Sequence, residues 1–352
     1  ILTEGTIKLD HIGKELSQYD YRVQQKNGHA YYYFPIGTPL VIAPIVAALK
    51  MAHVEISRNE VSVQKLITTL TSAVTVSLLI ALASLLTPKI AAPFLGTAFW
   101  LGSTLSSTNG VALWSHNLAV IFGLLGIIYA IQVRSNPRKG DWAVIGLCVF
   151  LAYLSRPPMS LYGVFLMAFL LLQNRTCAIK ATALIMLLLA AFIGFSENEF
   201  LPALPDYYLP GRLSQDSEEG SLEGILFSPS RGLFIFMPFL AIGVLSAFKS
   251  HPTNPWPLGK SWLILGLIWP IAHVLLVARF NPWTGGWCFG PRLITDAMPG
   301  LFLLTLHAFP RSLEGLSNRL LFSVFAISLA FSMTLHVRQG MFNKWTWAWN
   351  RD

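Results

Sequence analysis

The sequence predicts an all-α fold, a polytopic transmembrane helix bundle of about ten spans. Three observations predict it. The 352 residues are 54% hydrophobic and only 12% charged, with a mean hydropathy of +0.55, whereas a soluble domain carries about 25% charged residues. From Leu66 onward, ten apolar stretches of near-helical length follow one another between short polar loops. The loops also alternate in charge. Lys89, Arg134, Arg138, Lys139, Arg175, Lys180, Lys249, Lys260, Arg311 and Arg319 share one set of loops with only two acids, Asp141 and Glu314, a net of +8. The opposite set balances fifteen bases with fifteen acids. This bias makes the first set cytoplasmic. Because it accounts for the whole net charge of the chain, the basic balance does not signal nucleic-acid binding.

Residues 1–65 read as an outer-face polar and interfacial segment. Ile1 to Asn27 is polar and of mixed charge, and Gly28 to Ala47 runs from a tyrosine cluster through Pro35, Gly37, Pro39 and Pro44. So many prolines suit an extended stretch lying along the interface better than a regular helix. Residues 39–54 are short and include Lys50, which makes them an interfacial or re-entrant piece. The bundle proper is 66–337, with spans at 66–86, 90–107, 113–133, 142–154, 158–172, 178–195, 232–248, 261–278, 293–309 and 320–336. Helices 142–154 and 158–172 supply about 20 Å each, less than a hydrocarbon core of about 30 Å. They still count as two, joined by Ser155-Arg156-Pro157-Pro158, because one long helix would put Arg175, Lys180, Lys249 and Lys260 on the outer side. Ten crossings leave both ends of the sequence outside the cytoplasm, with outer loops at 196–231 and 280–292 and an outer tail at 338–352. The sequon Asn174-Arg175-Thr176 falls on the cytoplasmic side and reads as chance. Three cysteines are too few for a disulfide framework and read as free thiols.

Asn281 to Pro299, NPWTGGWCFGPRLITDAMP, concentrates what a membrane interior excludes: Arg292, Asp296, glycines, prolines, Trp283 and Trp287, with Arg279 just before it. Hydrocarbon tolerates charge and irregular backbone only where protein or a water-filled cavity covers them, so this stretch is the first candidate for a site. The predicted topology puts His116, Arg156, Arg231, Arg279, Arg292 and Asp296 at the outer ends of spans. Arg231 lies in SPSRGLF, just before a helix. Cations converging on one membrane face point to an anionic ligand presented from the lipid, such as a polyprenyl phosphate. Trp283, Trp287 and Tyr33 suit stacking on sugar or isoprenoid and equally an aromatic belt. The glycine-rich loop lacks the lysine and spacing of a Walker cradle, and GxSxG, HExxH and paired CxxC are absent.

Seven segments in order carry a resemblance that covers nearly the whole chain. They are EGTIKLD (Glu4 to Asp10), GHAYYYFPIGTPLVIAP (Gly28 to Pro44), WSHN (Trp114 to Asn117), SRPP (Ser155 to Pro158), SPSRGLF (Ser228 to Phe234), GGWCFGPRLITDAMP (Gly285 to Pro299) and RQGMFNKWTWAWN (Arg338 to Asn350). In this order the chain resembles the bacterial branch of the GT-C membrane glycosyltransferases, which includes protein mannosyltransferase-like and lipid A arabinose transferase-like enzymes. The resemblance implies inverting transfer of a sugar from a polyprenyl-phosphate donor to a glycan, lipid or protein acceptor at the periplasmic face of the inner membrane. It further implies a carboxylate base for the acceptor hydroxyl and arginines for the donor phosphate. In that family the base follows the first transmembrane helix, upstream of the segment that EGTIKLD matches. The base and that helix are therefore expected before Ile1, with Asp10 and Asp20, then Glu4 and Glu15, as fallbacks. Arg292 and Arg231 take the donor phosphate in this reading. No cofactor is expected, a divalent cation being the one left open. The competing readings are a transporter or flippase for a lipid-linked or anionic substrate, and a truncated inactive paralogue.

Overall fold

The computed structural model describes residues 7–10, 22–200, 204–209, 221–247, 258–286, 288–309 and 316–343. Helices dominate it. Strands β1 (Val23–Lys26) and β2 (His29–Tyr32) pair as an antiparallel hairpin. Its turn is Asn27-Gly28, both at positive φ, the pair a two-residue type I′ turn favours. The expected extended course of Gly28 to Ala47 is corrected after this hairpin, because Gly37–Met51 is a regular helix, α1. Pro39 falls in the first turn, where no amide donor is needed, and Pro44 gives up only one interior hydrogen bond.

The chain continues through α2 (Glu60–Leu86), α3 (Ala92–Leu101), a π-helical turn at Leu105–Asn109, α4 (Ser115–Ser135), α5 (Asp141–Ser155), α6 (Met159–Gln173) and α7 (Arg175–Phe200). Past the loop come α8 (Leu222–Phe227), α9 (Leu233–Phe236) and α10 (Phe239–Ala247). A π-turn at Ile264–Ile268 then leads into α11 (Trp269–Val277). A 3₁₀ segment at Arg292–Ala297 enters α12 (Met298–Ala308), and α13 (Leu316–Thr334) runs into a π-helical end at Leu335–Phe342.

Among the described residues, five stretches are long and apolar enough to cross a bilayer: Glu60–Leu86, Ser115–Arg134, Arg175–Glu199, Gly259–Val277 and Leu316–Phe342. Shorter apolar helices accompany them at α1, α3, α5 and α6. The expected span 90–107 stops at Leu101, where Gly102 and the polar run from Ser103 replace apolar side chains. The span 232–248 divides at Met237-Pro238, since Pro238 has no amide to continue the ladder. The two short helices α5 and α6 are separate and fold back on each other, with Val149 packed against Gly163 in mid-helix.

α4 is the central helix, packing on α2, α5 and α6. The outward faces are apolar. On α13, Leu316, Leu320, Val324, Ile327 and Phe331 are exposed at helical spacing, as are Leu66, Leu70 and Val74 on α2. Stripes this apolar and this exposed are lipid-facing surfaces.

The hairpin is fastened to the bundle through Asp206, which accepts hydrogen bonds from Lys26 Nζ at 2.7 Å and from Gln24 Nε2. The hydrogen bond from Lys26, then that from Gln24, holds the Asp206 carboxyl below its ordinary pKa. A carboxyl depressed in the folded state contributes stability above its unfolded pKa and loses it as pH falls through the folded value. Acidification below about pH 4 should therefore lower the melting temperature of the detergent-solubilised protein more than that of Asp206→Asn. Parallel acid profiles for the two proteins would exclude this contribution.

Candidate functional site

Three sequence-distant residues meet in the buried interior. His116 stands in the first turn of α4, where Asn117 fixes the entry by accepting the Trp114 amide hydrogen at 3.1 Å. Arg156 is at the turn where Pro157-Pro158 ends α5, and Asp296 is in the 3₁₀ segment leading into α12. His116 Nδ1 lies 2.6 Å from Asp296 Oδ1, while Arg156 Nε donates to Asp296 Oδ2 at 3.1 Å. Arg156 Nη1 reaches the Tyr207 hydroxyl at 3.1 Å. All three are almost wholly buried, at 2%, 5% and 0% exposure. Charges so placed persist only when paired and hydrogen-bonded, and here Asp296 is shared by two partners.

Arg292 does not pair with Asp296, despite lying four residues away. Its guanidinium carbon sits 4.4 Å above the centroid of the Trp114 ring, and Nη2 donates to the Gly285 carbonyl. Among the described residues no hydrogen-bond partner reaches Arg292 Nε.

Arg231 serves the loop itself. It donates from Nε to Thr284 O at 3.1 Å, from Nη1 to Cys288 O at 2.6 Å and from Nη2 to Gly286 O at 3.0 Å. Gly285 and Gly286, both at positive φ, give the loop the course that turns these carbonyls toward one guanidinium. Arg231 and Arg292 line one recess of about 10 Å³, the space of a single water, together with Trp283 and Thr284. Arg231→Lys should cost at least about 2 kcal/mol, because a single ammonium cannot match three carbonyls spread for a planar fork. Limited proteolysis of the 280–291 loop tests this, and an unchanged cleavage rate would contradict it.

A second space is large and apolar. A cavity of about 860 Å³ opens between α1, α5 and α7, walled by Leu40, Val46, Phe150, Leu154, Leu188 and Phe192, with Lys50 among its lining. α1 reaches α5 closely because Gly37 lies against the Leu154–Ser155 peptide, where any Cβ would fall 2.5 Å from backbone atoms. The wall at Leu154 is therefore two residues from Arg156.

The other expected residues are dispersed. Asp10 packs against strand β2 from outside the hairpin, taking the Ala30 amide hydrogen at 2.8 Å and lying 2.6 Å from His29 Nδ1. Trp283 packs on Gly224, Tyr33 sits edge-on to Tyr207 with ring centroids 5.6 Å apart, and Arg279 is exposed. Trp287, Asp20, Glu4 and Glu15 lie outside the described residues. The three cysteines are buried and free, and among the described residues no cluster of three or more His, Cys, Asp or Glu is placed to hold a metal.

Sequence reasoning missed Tyr207 and His273. His273 is fully buried and its Nε2 lies 3.0 Å from the Leu293 carbonyl. A histidine within WPIAHVLLV was the available signal, whereas nothing local marks Tyr207, whose role depends on a distant arginine. Compared with protein-family models, with curated proteins and with solved structures, the chain matches none.

Proposed function

We propose that this chain is a GT-C-type membrane glycosyltransferase that takes a sugar from a polyprenyl-phosphate donor at the extracytoplasmic face of a ten-span bundle. One observation carries the reading. Arg292 is a cation fixed over an indole at the edge of a buried ionic network, with one guanidinium N–H left without a partner. A planar guanidinium with donors to spare suits a phosphate oxygen. The apolar cavity of about 860 Å³, two residues along α5 from Arg156, supports a donor that carries a long hydrocarbon chain.

In the proposed reaction the acceptor hydroxyl attacks the anomeric carbon as the bond from that carbon to the phosphate oxygen breaks. The polyprenyl phosphate leaves with the electron pair, and the acceptor proton passes to a general base. Arg292 stabilises charge as it grows on the leaving phosphate. Among the described residues no carboxylate pairs with Arg292, and Asp296 is committed to Arg156 and His116. The His116–Asp296–Arg156 network is then a positioning element, holding the start of α4 and the 292–297 turn in register so that Trp114 supports Arg292. The recess beside Arg231 is smaller than a phosphate group, so donor entry requires the 280–291 loop to shift.

The test is transfer of label from a panel of undecaprenyl-phosphate sugars into membrane glycans, lipids or proteins. Membranes containing the full-length protein are compared with membranes lacking it. Labelled product that depends on the protein supports the proposal. Uptake of intact lipid-linked sugar across the bilayer, with no transfer, would make the protein a transporter instead.

A further inference from the structure

The polar run Ser103–Asn109 is out of place in an apolar bundle. All seven residues are buried, and Leu105–Asn109 winds as a π-helix, a rare form that often marks functional positions. Asn109 is 1% exposed, yet neither its side-chain nitrogen nor its side-chain oxygen has a hydrogen-bond partner. Thr108 Oγ1, Thr68 Oγ1, Trp114 Nε1 and Arg292 Nε are orphaned in the same way.

Contacts through Asn117 link these groups. Its Nδ2 donates to the Asn109 backbone carbonyl at 2.9 Å and to Thr71 Oγ1 at 3.1 Å, one turn from Thr68. Its Oδ1 accepts the Trp114 amide hydrogen, and the Trp114 ring lies under Arg292. A buried orphan costs about 1–3 kcal/mol. Several such groups along one chain of contacts exceed what a marginally stable protein carries without partners, and hydrocarbon supplies none. A polar guest therefore belongs here.

Resting on the donor reading of Arg292, the geometry points to Asn109 as the residue that recognises the hydroxyl-bearing group carried by the anion at Arg292, the sugar to be transferred. A carboxamide presents two donors and an acceptor, which suits neighbouring hydroxyls that both give and take hydrogen bonds. The Trp114 N–H adds a donor, and the Thr108 and Thr68 hydroxyls add groups that can serve either way.

Binding to the purified full chain in nanodiscs tests this. The probes are bare undecaprenyl phosphate and undecaprenyl phosphate bearing a hexose, a pentose or an aminopentose. Wild type is expected to hold at least one sugar-bearing lipid roughly ten-fold tighter than the bare lipid, the worth of one or two hydrogen bonds. Asn109→Leu should erase that preference while its melting temperature stays level or rises, because an apolar isostere removes orphaned atoms at no cost in hydrogen bonds. Asn109→Ser, which keeps one hydroxyl, should retain part of the preference.

Failure of wild type to bind any of these lipids removes the donor reading and this inference with it. If wild type binds the bare lipid but shows no sugar preference, the sugar subsite alone is overturned. The same holds if the preference survives in Asn109→Leu while its melting temperature falls, the mark of an internal water held for structure. Should the leucine variant not fold, an undiminished preference in Asn109→Ser overturns the assignment.

Discussion

Asp296→Ala is expected to destabilise the protein by about 3–5 kcal/mol, the cost of removing one partner from a buried ion pair. The Arg156 guanidinium, 5% exposed, would keep its charge and lose the carboxylate that accepts from Nε at 3.1 Å. His116 would lose its partner at the same time, because both contacts end on one carboxylate. The double variant Arg156→Met, Asp296→Leu should recover a large part of the loss, since apolar residues of similar volume often replace a buried pair without penalty. Equilibrium unfolding in detergent separates these outcomes. A single variant within about 0.5 kcal/mol of wild type would mean that Asp296 carries no structural load.

Arg292→Ala is expected to lower transfer from a polyprenyl-phosphate sugar by at least about a hundred-fold, the usual loss when a donor to developing negative charge is removed. Protein levels should stay near normal, because Arg292 makes one backbone hydrogen bond and one ring contact and is not locked into the buried network. Arg292→Lys should rescue little, since a flexible ammonium cannot lie over Trp114 and also reach the Gly285 carbonyl as a planar fork does. Normal transfer by the alanine variant would remove Arg292 from the donor site.

The helical membrane class was legible in the sequence, because it depends on composition and run length, which need no tertiary knowledge. Helix ends were less so. The start of α2 at Glu60 lies before the apolar run, and Pro238 splits a stretch that hydropathy alone reads as continuous. Asn27-Gly28 was a legible hairpin signal that the polar character of its surroundings hid. At the site, composition marked His116, Arg156 and Asp296 as polar groups at span ends, and the structure joins them. What sequence could not give is partner choice. Arg292 and Asp296 are one helical turn apart and face different neighbours, and Arg231 spends its fork on carbonyls 53 to 57 residues away. The run Ser103–Asn109 was hidden by the apolar stretch that contains it, and a count of hydroxyls there would have found it.

In the proposed function, Arg292 holds the phosphate of a polyprenyl carrier whose chain occupies the cavity of about 860 Å³ beside α1. The most direct measurement is photolabelling with undecaprenyl phosphate that bears a diazirine on its isoprenoid chain, with labelled peptides identified by mass spectrometry. Label is expected on α1 and α5 around Leu40, Val46 and Phe150, competed by unlabelled donor and lost in Arg292→Ala. Equal labelling of wild type and Arg292→Ala, or label confined to the lipid-facing stripe of α13, would contradict it.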